Sequence, residues 1–366
     1  MQTKFEKLTS LEKIGQMFIV GLDGTEAEGD IIELIQTYKI GGVILSKRNF
    51  ESVEQINRLI NGLKMANAGN DVPLFIAIDH ETGRGDKLPS DIRKLPALRY
   101  ICENSNLDVV NDAQKVTADT LKKLGFNMNV GLLLDMGGMV KGNMLGDRCI
   151  STNNTTTVSE YGVGTLSAYR EMEIVAVPKY FPGHTSSKGD TSNIIIPYTK
   201  KSLAKLEQFD LVPFKHVIEK GAETMLVGNI NLSRLNMFAP ATMSTRVVTK
   251  LLKGRYNFEG ISIADDLCST CIKVQYGIRD AAYNAIKAGN DMIIVSDASK
   301  AKQALHYVER QRYNGKLDEK AINDSAKKII ELKAKYKLND DEVPLIDINE
   351  QNLKIEEVIS KIREIG

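Results

Sequence analysis

A chain of 366 residues with 42% hydrophobic and 26% charged side chains can bury a real core, which excludes a disordered tail. Its 48 basic and 47 acidic residues leave a formal net charge of +1, so no single-sign field points to nucleic acid or an anionic membrane. The longest apolar stretches are strand-sized, which argues against a membrane span.

The first element is a helix. Thr9-Ser10-Leu11-Glu12 has the capping-box pattern, ahead of the apolar Ile14 and Met17. Short apolar runs then alternate with amphipathic helical stretches. The runs are Met17 to Val20, Val43 to Ser46, Leu74 to Ile78, Asn127 to Leu134, Ile174 to Val177, Thr224 to Val227, Ile261 to Ala264, and Met292 to Val295. Such continuous apolar runs read as parallel strands buried on both faces. Helical patterns lie between them, including Ser52 to Lys64, Val109 to Leu124, Thr157 to Glu171, Lys205 to Lys220 and Asp280 to Ala288. Gly221 and Gly289 each follow a helical run and precede a strand, the place of a helix C-terminal cap. After Leu338 a polar break, Asn339-Asp340-Asp341-Glu342, leads to an amphipathic helix within Asp347 to Ile365.

About eight strands alternating with helices predict a single (β/α)8 barrel of the TIM type over residues 1–338, with residues 339–366 as a C-terminal extension. An open doubly wound sheet is the alternative. No G-x-G-x-x-G follows the first strand, where Gly21-Leu22-Asp23-Gly24 stands instead, so the barrel is the expected fold.

Reacting groups of such a barrel come from the C-terminal ends of its strands. Asp79-His80-Glu81 ends the third strand and Asp135 the fourth. The fifth runs into Lys179 and a loop holding His184 and Asp190; the sixth leads to Asn229 and the seventh to Asp265-Asp266. Asp266 is expected at a helix N-terminus, where the dipole favours a carboxylate. There is no P-loop and no H-E-x-x-H helix. Cys268-Ser269-Thr270-Cys271 has no second pair, so Cys102, Cys149, Cys268 and Cys271 read as free thiols and no metal site is expected. A rim of carboxylates and polar donors suits polyol recognition and glycosidic chemistry, which need no cofactor.

Several segments, in order, resemble glycoside hydrolase family 3, in its single-barrel branch of β-N-acetylglucosaminidases. They are Leu11-Glu12-Lys13-Ile14-Gly15-Gln16-Met17-Phe18, Gly41-Gly42-Val43-Ile44-Leu45, Ala77-Ile78-Asp79-His80-Glu81-Thr82-Gly83-Arg84, Gly146-Asp147-Arg148, Lys179-Tyr180-Phe181-Pro182-Gly183-His184, Ile263-Ala264-Asp265-Asp266-Leu267 and Ala285-Ile286-Lys287-Ala288-Gly289-Asn290-Asp291-Met292. The resemblance implies that Asp265 is the nucleophile of a retaining mechanism, and that Asp79, Arg148 and Lys179 hold the hydroxyls of a carbohydrate substrate. Glu81, Tyr180, His184 and Asn229 are the further expected substrate contacts. The implied substrates are amino-sugar glycans such as peptidoglycan fragments.

The chain departs from the family where the proton donor is expected. That donor is a histidine closing a D-[ST]-H motif on a loop, oriented by the motif's Asp. Here the loop reads His184-Thr185-Ser186-Ser187-Lys188-Gly189-Asp190-Thr191-Ser192-Asn193. Asp190 matches the orienting Asp, and Ser192, or Asn193 if one residue is inserted, stands where the histidine should be. Tyr180 replaces a histidine, Thr82 a glycine, Gly85 a valine, and Gly131-Leu132 an Ala-Pro pair. Three readings stay open: a glycosidase with Asp190 or Glu81 as substitute acid, a weak retaining enzyme, and a non-catalytic relative that binds a glycan or serves as a scaffold. With no signal-peptide pattern at Met1-Gln2-Thr3-Lys4-Phe5-Glu6, the expected location is the cytoplasm, or outside it after removal of a leader.

Overall fold

In the computed structural model, residues 5–137, 145–236 and 238–365 are described, and the eight barrel strands lie at the expected places. They are β1 (Phe18–Gly21), β2 (Gly42–Leu45), β3 (Phe75–Ile78), β4 (Met128–Leu133), β5 (Val175–Lys179), β6 (Thr224–Val227), β7 (Ile261–Ala264) and β8 (Met292–Val295). They form one 8-stranded sheet in the order β5-β4-β3-β2-β1-β8-β7-β6, parallel at every pairing. The β5 and β6 ends meet just past the strands. The Phe181 N–H donates to the Leu226 carbonyl (2.9 Å), and the Gly228 N–H donates to the Phe181 carbonyl (2.8 Å). Deeper in, the Thr224 hydroxyl donates to the Ala176 carbonyl at 2.7 Å. These bonds close the sheet into a (β/α)8 barrel.

Both faces of the strands are covered, by side chains inside and helices outside. That is why they read as unbroken apolar runs rather than as alternating patterns. β4 carries an irregularity between Asn129 and Leu132. There Gly131 passes so close to β3 that a Cβ would lie 1.9 Å from the His80 carbonyl oxygen, so only glycine fits. Asn129 braces the same spot: its side-chain oxygen accepts from the His80 N–H and its amide donates to the His80 carbonyl, both at 3.0 Å.

The Thr9 capping box is formed reciprocally with Glu12. Ser52, Asn106 and Asn154 cap the helices Val53–Ala66, Leu107–Lys123 and Thr155–Glu171 through their side-chain oxygens. Gly221 and Gly289 sit at φ 82° and 106°, the left-handed conformation of a helix C-cap. The helix expected over Lys205 to Lys220 is instead two, Leu203–Glu207 and Val212–Glu219. Pro213 explains the break, since it fits the first turn of a new helix and not the interior of an old one. Arg246–Arg255 is a π-helix that periodicity did not reveal.

The extension docks on the barrel. Asp340 accepts from Asn67 (2.7 Å) and from the Leu74 N–H (3.3 Å). The helix Ile348–Ile365 buries Gln351, which donates to Thr120 and accepts from Lys123, both at 2.8 Å. Among the described residues no helix is long and apolar enough to cross a membrane.

Candidate active site

The barrel mouth collects one charge cluster from three distant segments. Lys179, the last residue of β5, is fully buried and reaches Asp79 past β3 at 2.7 Å. It also pairs with Glu81. Glu81 accepts from the Arg148 guanidinium, with Nε at 2.8 Å. Arg148 rides on a short turn, Gly146–Arg148, that Arg99 clamps from outside by donating to the Gly146 and Cys149 carbonyls, each at 2.9 Å. Arg99 was not evident from the sequence, because only the folded turn brings those carbonyls to it.

Charge balance fixes the protonation of this cluster. Burial would raise Glu81, but Lys179 and Arg148 overcome it and hold the carboxyl at about 2. Glu81 is therefore ionised at every working pH, which removes it from the candidate proton donors. Its oxygens face Arg148 and Lys179, so it positions those cations rather than reaching toward a ligand. Burial disfavours the Lys179 ammonium, yet Asp79 and Glu81 more than compensate and keep it charged. The Asp79 side chain is 45% exposed, so it is the carboxylate of the cluster presented to solvent.

Asp265 follows β7, and its N–H continues the sheet by donating to the Val227 carbonyl at 3.0 Å. One carboxylate oxygen accepts from the Asp266 N–H at 2.8 Å. The group is half-buried at the mouth. Burial pushes it up to about 7; Asp266 and Asp79 add to the rise, while the Asp266 N–H and Lys179 oppose it.

Asp266 departs from its expected place at a helix start. The next helix begins only at Thr270, and the Asp266 carboxylate instead accepts from the Cys268 N–H (3.0 Å), the Ser296 N–H (3.1 Å) and the Ser296 hydroxyl (2.7 Å). It ties the β7 end to the β8 end. Asn229 is likewise a brace and not a ligand-facing group. It is fully buried, donates to the Asp266 carbonyl (2.9 Å) and Ser269 (3.2 Å), and accepts from Thr242 (2.9 Å). Together they fix the turn that carries Asp265.

The segment after β5 turns sharply. Tyr180 has φ 73°, an unusual conformation for a side chain of its size, of the kind found where a site demands it. Its ring lies 5.1 Å from the Lys179 ammonium and edge-on to His184 at 5.0 Å. His184 is buried, and burial pushes its imidazole down to about 4, with Arg148 adding to the effect and Asp190 opposing it. Its Nδ1 lies 3.3 Å from the Ser187 hydroxyl, so the expected substrate contact is a buried ring within the segment. Asp135, at the β4 end, holds this segment: one oxygen accepts from the His184 N–H (2.6 Å), the Thr185 N–H (2.9 Å) and the Thr185 hydroxyl (2.9 Å).

The loop beyond is pinned at its base by two bonds between the Lys188 and Tyr198 backbones (3.0 and 3.1 Å). At its tip the Asp190 carboxylate accepts from the Ser192 N–H at 2.8 Å. Ser192 is exposed. The Cys271 N–H donates to the Thr191 carbonyl at 3.3 Å, so the loop leans on the helix that follows Asp265. All four cysteines are free thiols, and among the described residues no His/Cys/Asp/Glu group is arranged to hold a metal.

Comparison with known proteins agrees with the barrel fold. A β-hexosaminidase of Psychromonas ingrahamii is 27% identical over 281 residues, covering 75% of this chain and 81% of that protein. One from Alkalilimnicola ehrlichii is 28% identical over 293 residues, covering 78% and 82%. The structure of a glycoside hydrolase family 3 β-N-acetylglucosaminidase from Paenibacillus sp. superposes with a TM-score of 0.87 at 26% identity, over 97% of this chain and 69% of that one. Residues 9–332 match the glycosyl hydrolase family 3 N-terminal domain, and the chain belongs to that family of glycoside hydrolases.

Proposed function

We propose that the protein is a retaining β-N-acetylhexosaminidase that acts on amino-sugar glycans such as peptidoglycan fragments. One observation carries the reading: a half-buried carboxylate, Asp265, is fixed at a strand end near the Lys179–Asp79 pair, in a barrel whose named relatives are β-hexosaminidases. Asp79 accepts from sugar hydroxyls, while Arg148 and Lys179, held by Glu81, supply positive charge to the same pocket. Asp265 attacks the anomeric carbon as the glycosidic C–O bond breaks, giving a glycosyl ester and an alcohol. Water then cleaves the ester and restores the carboxylate.

The leaving oxygen needs a proton. Ser192 does not titrate, and the Asp190 carboxylate that accepts from its N–H is turned back onto its own loop. Lack of a general acid typically forfeits a factor of about 10²–10⁴, least for leaving groups that depart unprotonated. Ser192 is the specific observation that favours a second reading, a catalytically impaired glycan-binding or scaffold protein.

The test is incubation with an activated aryl β-N-acetylglucosaminide and, separately, with a 5-fluoro glycoside trap. Turnover that disappears in Asp265→Asn, with a mass adduct on Asp265, supports the enzyme. Sugar binding by calorimetry without turnover or adduct supports the second reading.

A further inference from the structure

The near-neutral total of 48 basic and 47 acidic residues hides a local imbalance. Residues 191–205, 231–246 and 270–279 carry seven basic side chains and no acidic one. The fold brings these three stretches together beside the barrel mouth. Gln275 donates to the Ile194 carbonyl at 3.2 Å, and the Tyr276 hydroxyl donates to the Phe238 carbonyl at 3.3 Å. The Cys271 N–H donates to the Thr191 carbonyl at 3.3 Å. The helix Thr270–Tyr276, which follows Asp265, is thus their common support.

The gathered tips are apolar. Ile194 and Ile195 are 63% and 68% exposed, Val274 59% and Phe238 83%. One exposed apolar side chain is ordinary, but four on three bonded segments form a patch. Within a few residues of them Lys200, Lys205, Arg234, Arg246, Lys273 and Arg279 are exposed and have no ion-pair partner among the described residues. Lys201 alone is paired, with the buried Asp210 at 2.9 Å.

This combination selects the occupant. The apolar side chains stand out from two loops and one helix, each mostly in solvent, so they can sink into a fluid interface without a shaped complement. The cations are spread on long, unpaired stems and are matched by a diffuse negative surface rather than by one carboxylate. We propose that this face docks on an anionic lipid bilayer, with the four apolar tips among the headgroups and the cations over the lipid phosphates. Such docking needs no spanning helix, and none is present among the described residues. It keeps the barrel mouth at the bilayer surface, because the bond between Thr191 and Cys271 joins the patch to the segment after Asp265. It does not depend on which bond is cut there.

The chain has no tryptophan, so Phe238→Trp introduces a single fluorescent reporter. The probes are vesicles of phosphatidylcholine alone and of equal parts phosphatidylcholine and phosphatidylglycerol. With the mixed vesicles at low salt, the Phe238→Trp protein is expected to co-sediment and its emission to shift to the blue. With phosphatidylcholine alone it is expected to do neither, and raised salt should weaken the binding to the mixed vesicles. Tyr313→Trp, almost as exposed at 81% but on another helix, should show no shift. Lys200→Gln, Arg234→Gln and Lys273→Gln together are expected to lower the partition constant by about tenfold or more. Ile195→Ser with Phe238→Ser is expected to do the same. Thermal melting identifies any variant that is unfolded, and the conservative tryptophan exchange tests the proposal without them. No binding, equal binding to both vesicles, or binding that survives both sets of substitutions in folded proteins overturns the proposal. A blue shift that grows with protein concentration in the absence of vesicles also overturns it, making the face an interface between copies of the chain.

Discussion

Replacing Asp265 by Asn asks whether folding holds this carboxyl against its own ionisation. Burial, aided by Asp266 and Asp79, raises it to about 7. In the unfolded chain an aspartate titrates near ~3.9. A raised folded value means that the group's contribution to stability is fully present below the unfolded pKa and is lost as pH rises through about 7. Roughly three pH units at about 1.4 kcal/mol each set a ceiling of about 4 kcal/mol on the penalty at pH 8. Partial exposure and coupling to neighbouring charges reduce this to roughly 1–2 kcal/mol. Asn keeps an oxygen for the Asp266 N–H, now at 2.8 Å, and cannot ionise. The variant should therefore melt above the parent at pH 8, by about 1–2 °C for a chain of this size, and the gain should shrink at pH 5. Scanning calorimetry at the two pH values reads the difference. A gain that is equal at both, or larger at pH 5, refutes the assigned electrostatics.

Removing the carboxylate in Glu81→Ala strips a buried partner from Lys179 and Arg148 and should lower stability by about 3–5 kcal/mol in urea titrations; a loss under about 1 kcal/mol would mean that the cluster is weakly coupled. Asp135→Ala leaves three donors of the His184–Thr185 segment without their acceptor, so kcat/KM on an aryl glycoside should fall by about tenfold or more. Asp135→Asn, which keeps an oxygen in place, should recover most of that, and equal losses in both would count against a positioning role. Ser192→His should raise turnover of poor leaving groups more than of activated ones, whereas equal gains would show that proton donation is not what the loop lacks.

The barrel was legible because its strands are buried on both faces, and eight apolar runs separated by helical patterns admit few topologies. The candidate nucleophile was legible for a related reason: a polar residue closing an apolar run must sit at a rim. The cluster around it was not. Lys179 and Asp79 are 100 positions apart, and Arg148 and Glu81 are 67 apart. Sequence placed Asp79, Glu81 and Lys179 on the rim, and the resemblance added Arg148, but neither could show that Glu81 is consumed by its cationic neighbours. Asn229 looks like a site residue in sequence and Asp266 like the start of a helix, yet both serve as braces in the fold, because the direction of a side chain is set by backbone turns that composition does not encode. The burial of His184 was not legible either, since it follows from the left-handed turn at Tyr180 and the packing of the two rings edge to face.

The paired bonds between Lys188 and Tyr198 give the loop after β5 a neck, and distal to it the loop leans on its neighbour through the Thr191 and Ile194 carbonyls. Such a segment can be rewritten without re-registering the barrel, because its ends stay fixed whatever its tip contains. Chemistry that depends on a residue at the tip is then inherited separately from chemistry that depends on the strand ends. A lineage can keep the socket that grips the sugar and exchange the tool that releases the other half.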